Sequence, residues 1–306
     1  MEVAFGSELG LLRGVPSDAH VVDTLAPGVT LVAIADGFGE PGRGNATAHL
    51  ALTTVRDFVR RRQRVGSFDR NVSPSGVRAL LLGALDRANG RLYEQSGSHE
   101  DFVASGTSLT AVLVVGAHAF VGHVGDARAY LARLGRLEML TADDAMFADT
   151  AVTSTNTSTA VSKPRARGLL WRSLGTQAKL EASISHVELL AGDRFLLCTD
   201  GAHRCIDDAE FGDAFASDGD ASDIVERLLG SLRSRGNLDH ATVVVARDVL
   251  SSSQPVRRSF AFRVRPFRLA LAIAALTALL ALACAGALAI RAGYADRPNH
   301  HSSSHR

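Results

Sequence analysis

Three carboxylates, each delivered by an apolar run, are the residues of this chain with the most chemistry in them. Thr30-Leu-Val-Ala-Ile-Ala-Asp36-Gly37 closes an apolar run on an acid and a glycine. Arg194-Phe-Leu-Leu-Cys-Thr-Asp200-Gly201 repeats the form, and Asp239 stands just before the apolar run 241–246. One Asp-Gly after a strand is most often only a turn. Its recurrence carries the argument, because acids at three strand ends can converge on one point. A cluster of hard oxygen ligands suits Mg or Mn ions, not zinc, which favours His or Cys. Gly37 adds to this, since a residue without a side chain lets its own carbonyl approach a ligand beside the Asp36 carboxylate. A fourth acid, Asp126 in Gly125-Asp126-Ala127-Arg128, is also set at a strand end by a glycine, and Arg13 and Asp18 are the polar groups of the opening segment.

The elements that must position these acids follow from periodicity. Leu31, Ala33 and Ala35 point to one face of their strand and Val32 and Ile34 to the other; all are apolar, so both faces should be covered, with Asp36 at the strand's mouth. Short strands are expected around Val3–Ser7 and Val21–Leu25. Asn45 is expected to cap a helix with the stripe Ala48, Leu52, Val55 and Val59, and Ser73 with Pro74 to open a second through Val77, Leu81, Leu85 and Leu92. From Gly106 to Leu140 the period changes to an antiparallel meander. Residues 148–168, rich in Thr, Ser and Ala, show no clean period and read as a surface excursion. Strands are expected again at 179–188 and 194–199, helices near 209–216 and 221–235, and a closing strand at 241–249. The class is a layered α+β domain with helices outside its sheets.

Composition narrows the function. The formal net charge of +1 argues against a general nucleic-acid binder, which needs a basic surplus. The arginines from Arg56 to Arg64 read instead as a solvated helix end. Cys198, Cys205 and Cys284 are too few and too scattered for a disulfide framework or a thiolate metal site. Cys198 reads as core, and His20 and His123 as structural or solvent-facing histidines. No secretory signal opens the chain, so the first domain, 1–249, is expected in the cytoplasm. Residues 250–266 form a Ser- and Arg-rich linker. Residues 269–290 then run without a charge, about 33 Å as a helix and long enough for a bilayer core of about 30 Å. The reading is a single transmembrane helix at 267–290 with a short exported tail, 291–306. Arginines are denser before the span than after it, which keeps the first domain cytoplasmic, at the inner membrane. The tail histidines His300, His301 and His305 are read as solvated.

Taken in order, these signals resemble the metal-dependent protein phosphatase (PPM) family, the type 2C serine/threonine phosphatases, in its bacterial form. The resemblance spans residues 1 to about 248 and rests on Arg13 with Asp18, Asp36-Gly37-Phe38-Gly39, Gly106-Thr107, Gly125-Asp126-Ala127-Arg128, Thr141-Ala142-Asp143, Ser173-Leu174-Gly175, Cys198-Thr199-Asp200-Gly201 and Asp239-His240-Ala241-Thr242. It implies a four-layer α-β-β-α sandwich: two antiparallel sheets flanked by helix pairs, with a binuclear Mn or Mg site at one end. By the same resemblance Asp36 bridges the two ions, the Gly37 carbonyl binds one, Asp200 and Asp239 bind the other, and Asp18 holds metal-bound waters. Arg13 grips the substrate phosphate, and Asp126 helps hold a third, weaker ion. Residues 148–168 fall where the family carries a variable flap.

The implied activity is hydrolysis of phosphoserine and phosphothreonine in proteins by a water bridging two divalent ions. The implied partners are phosphoproteins, substrates of a bacterial Ser/Thr kinase, and the membrane. Three positions depart from the family pattern. Ser17 stands where Glu is usual, His240 where Asn is usual, and Phe38 where relatives carry His or Met. These departures motivate the rival reading, a catalytically silent module that binds phosphoproteins or partners at the membrane.

Overall fold

Alternation decides what each strand buries and against which neighbour. In chain order the elements are Glu2–Glu8 (β1), Asp18–Ala26 (β2), Val29–Phe38 (β3), Arg43–Arg62 (α1), Pro74–Ser96 (α2), Gly106–Val115 (β4), His118–Val124 (β5), Arg128–Arg133 (β6), Arg136–Met139 (β7), Ala145–Met146 (β8), Leu169–Leu170 (β9), Ser183–Glu188 (β10), Arg194–Cys198 (β11), Asp200–His203 (α3), Asp208–Ala216 (α4), Ala221–Ser234 (α5) and Ala241–Arg247 (β12). This computed structural model describes residues 1–11, 15–39, 42–63, 73–96, 105–146, 169–216 and 219–247. Arg13, the excursion 148–168, the linker 250–266, the apolar run 267–290 and the tail 291–306 lie outside them. Among the described residues no helix is long and apolar enough to cross a membrane.

Two antiparallel sheets of five strands each, ordered β1-β12-β11-β6-β7 and β10-β5-β4-β3-β2, make the body of the fold. The odd residues of β3, Leu31, Ala33 and Ala35, face Leu52, Val55 and Val59 of α1 and Leu81 and Leu85 of α2. Its even residues, Val32 and Ile34, enter a second core with Val112, Val121, Leu197 and Val244, which holds sheet to sheet. A third core joins Leu196, Val243 and Val245 to Phe211 of α4 and to Leu228 and Leu232 of α5. Helices, sheet, sheet and helices thus form four layers, as the apolar runs require. Each large side chain fully removed from water in these layers contributes about 1.5–3 kcal/mol.

The helix starts are partly as expected. Ser73 caps α2, its Oγ accepting from the Gly76 N–H at 3.2 Å, and Asp220 and Asp223 form a reciprocal capping box on α5. Asn45, expected as a cap, lies inside α1, which begins after Gly42. The Asn45 amide instead donates to the Asp18 carbonyl at 3.0 Å, tying α1 to the start of β2. Arg60, in the arginine-rich end of α1, pairs with Asp23 of β2 at 2.7 Å.

Candidate metal centre

Strand polarity brings the acids together. β2 and β3 run antiparallel in a register that sets Asp18 directly opposite Asp36. Since Asp36 has the parity of Val32 and Ile34, its side chain continues the face turned toward the other sheet. β3 does not stop at Asp36: the ladder with β4 runs on, pairing Asp36 with Ser108, Gly37 with Thr107 and Phe38 with Gly106. In the opposing sheet, Cys198 at the end of β11 pairs with Val243 near the start of β12 and with Arg128 at the start of β6. Asp200, Asp239 and Asp126 therefore stand at the same end of the sandwich. Thr199 joins the sheets directly, donating its hydroxyl hydrogen to Asp18 Oδ2 at 2.7 Å and accepting from the Thr242 N–H at 2.9 Å.

Close backbone contact fixes the Asp36–Gly37 corner. The Gly37 N–H donates to the Ser17 carbonyl at 3.1 Å. A Cβ at Gly37 would lie 1.9 Å from the Gly44 carbonyl oxygen, so the first turn of α1 rests on bare backbone. Gly125, at φ 100°, makes the turn before Asp126, in a conformation side-chain-bearing residues rarely adopt. Asp200 opens the one-turn helix α3. The Asp239 Oδ1 accepts from the His240 N–H at 2.9 Å, and its carbonyl accepts from the Asn237 amide at 2.5 Å.

Such crowding of acids is electrostatically costly. Burial, then the charges of Asp18 and Asp200 beside it, raise the Asp36 pKa well above its ordinary 3.8. Burial and then Asp200 raise Asp126 to about 7, against the pull of Arg204. Among the described residues no three His, Cys, Asp or Glu side chains form a ready-made metal cage. Asp200 and Asp126 are held instead by Arg204, whose guanidinium meets Asp200 Oδ2 at 2.9 Å and Asp126 Oδ2 at 3.4 Å. Asp200 Oδ1 is buried and has no hydrogen-bond partner there. A buried carboxylate oxygen without a donor, beside an acid whose charge its neighbours oppose, fits a hard divalent cation.

Of the residues named from sequence, Asp36 is brought beside both Asp18 and Asp200. Asp126 joins them through Asp200 and Arg204, and Asp239 borders them through His240. That last residue is more than a changed neighbour. The His240 Nδ1 accepts from the backbone N–H groups of Asp18 and Ser17 at 3.1 and 3.3 Å. Ser17 donates its hydroxyl hydrogen to Asp18 Oδ1 at 3.1 Å, and the Phe38 ring lies against Gly106. Arg128 forms a two-pronged pair with Asp143 at 2.8 and 2.7 Å and donates to the Tyr130 hydroxyl. Sequence reasoning missed Arg204 and the role of Thr199. Arg204 could have been found by its spacing, four residues after Asp200, once the segment is helical.

Comparison with known proteins agrees with this geometry. The family model described as Protein phosphatase 2C matches residues 14–245. The serine/threonine protein phosphatase PstP of Mycobacterium tuberculosis is 30% identical over 248 residues, 80% of this chain and 45% of that protein, so the chain spans about half the length of this relative. The crystal structure of the PstP catalytic domain in complex with two manganese ions superposes with a TM-score of 0.62 at 28% identity, covering 80% of this chain and 96% of that one. The phosphatase MsPP of Mycobacterium smegmatis, solved with cacodylate, gives 0.61 at 30% identity, with 80% and 97% covered. Family match, shared fold and acid-lined sandwich end coincide: the chain belongs to the protein phosphatase 2C family of metal-dependent serine/threonine phosphatases.

Proposed function

We propose that this protein is a metal-dependent protein serine/threonine phosphatase. Asp36, the Gly37 carbonyl, Asp200 and Asp239 would hold two Mn or Mg ions, Asp18 would orient ordered waters, and Arg13 would grip the substrate phosphate. The observation that carries this reading is the placing of Asp36 beside both Asp18 and Asp200, with the Asp200 Oδ1 buried and unpartnered. Bound divalent ions would supply an acidified water as nucleophile and offset charge on the phosphoryl oxygens. The chain's own groups do the rest. Thr199 and Ser17 fix both oxygens of Asp18, and His240 holds the backbone that carries it. A planar guanidinium at Arg13 suits two phosphoryl oxygens at once.

The silent-module reading has less support, because Ser17 and His240 are hydrogen-bonded into the site. The expected substrates are phosphoproteins made by a bacterial Ser/Thr kinase, reached from the inner membrane through an anchor at 267–290 with the phosphatase domain cytoplasmic. Assaying matched phosphothreonine, phosphoserine and phosphotyrosine peptides with added Mn tests the substrate class. Release of phosphate from the first two in preference to the third is expected; a preference for phosphotyrosine would overturn it.

A further inference from the structure

Arg204 stands where a cation is wanted and is itself a cation. It caps the C-terminal end of α3, so the helix sets it one turn after Asp200 with its backbone N–H on the Asp200 carbonyl at 3.0 Å. Its side chain is only 10% exposed, and those of Asp200 and Asp126 are 5% and 6% exposed. One guanidinium nitrogen reaches Oδ2 of both acids, at 2.9 and 3.4 Å. Oδ2 of Asp200 is thereby taken, and Oδ1 is left buried without a partner. Nearby His203 sets its Nε2 against the Asp126 carbonyl at 2.9 Å.

We infer that Arg204 is the protein's own third cation: it bridges Asp126 and Asp200, takes the place of a third divalent ion, and turns Asp200 so that a single oxygen faces the two-ion centre. The inference rests on the proposed binuclear reading and goes beyond it. A divalent ion drawn to Asp126 would meet a fixed positive charge at ion-pair distance, and like charges in a low-dielectric site repel strongly. Arginine suits the role because its guanidinium stays charged at any physiological pH. In this account Arg204 is a positioning residue, acting through Asp200.

The test is the number of Mn ions bound per full-length chain, by equilibrium dialysis with metal analysis in mild detergent. The wild type should bind about two. Arg204→Met, which keeps the length and removes the charge, should bind about three, and adding Asp126→Asn should return the count to about two. Should Arg204→Met fail to fold, Asp126→Asn alone decides: its count should equal the wild type's. Three ions in the wild type, falling to two with Asp126→Asn, would overturn the inference and leave the binuclear reading intact. A wild type that binds none would sink both.

Discussion

A buried carboxylate that faces other carboxylates survives only with a proton or a cation beside it, and the acids of this site are arranged that way. Replacing Asp36, Asp200 or Asp239 by Asn keeps the shape and removes the charge; each change should lower kcat by on the order of 10^2–10^3 or more, read with a phosphothreonine peptide and Mn. Arg13→Ala should act mainly on KM, as loss of a phosphate contact does. His240→Ala leaves two buried N–H groups, of Ser17 and Asp18, without their acceptor. It should cost about 1–3 kcal/mol in denaturant unfolding; an unchanged midpoint would refute the anchoring role. The acids of the candidate site were legible in the sequence because each follows or precedes an apolar run, a local pattern. The roles of Thr199 and His240 were not, because their partners lie far along the chain: Thr199 meets Asp18 across 181 residues and His240 meets it across 222. No local period encodes such pairs. Arg204 was missed for another reason, since its spacing from Asp200 has meaning only once that segment is helical.

Among elements, the β3–α1 junction is the most demanding. Gly37→Ala drives a methyl group into the Gly44 carbonyl, so α1 must move or β3 must bend. Tm should fall by several degrees and Mn binding should weaken with it, as measured by melting with and without Mn; a variant melting like the wild type would show that the contact yields. The β10–β11 turn responds to pH. Burial alone would raise the Asp193 pKa, but the Arg133 guanidinium at 2.8 and 2.6 Å and the Leu190 N–H at 2.8 Å outweigh it and hold the pKa below 3.8. A depressed folded pKa means stability that is present above the ordinary value and is lost as pH falls through the folded one. Below about pH 4 the wild type should therefore lose stability, and Asp193→Asn, less stable at pH 7 by about 2 kcal/mol, should lose less on acidification. The Tm profile from pH 7 to 3 checks this. Strand alternation was legible because the period is two and the runs are long. The helix α3 was hidden because a single turn has no period, and Asn45 misled because its amide serves the Asp18 carbonyl rather than its own helix.

At the scale of the molecule, two sheets present their acids at one end and shared apolar faces keep the sheets in register, so the site is a consequence of how the cores pack. The proposed anchor predicts that the full chain stays with membranes after a carbonate wash and that deleting 267–290 releases it; a full chain in the soluble fraction would count against the tether. The chemistry of the molecule lies at the sandwich end. Its most direct measurement is phosphate release from a phosphothreonine peptide by the full chain, with Mn added or chelated, beside Asp200→Asn. Turnover that needs Mn and falls at least a hundredfold in the variant is predicted, on the order expected when one charged group of a catalytic site is removed. Turnover that persists under chelation, or equal turnover by Asp200→Asn, would contradict the account.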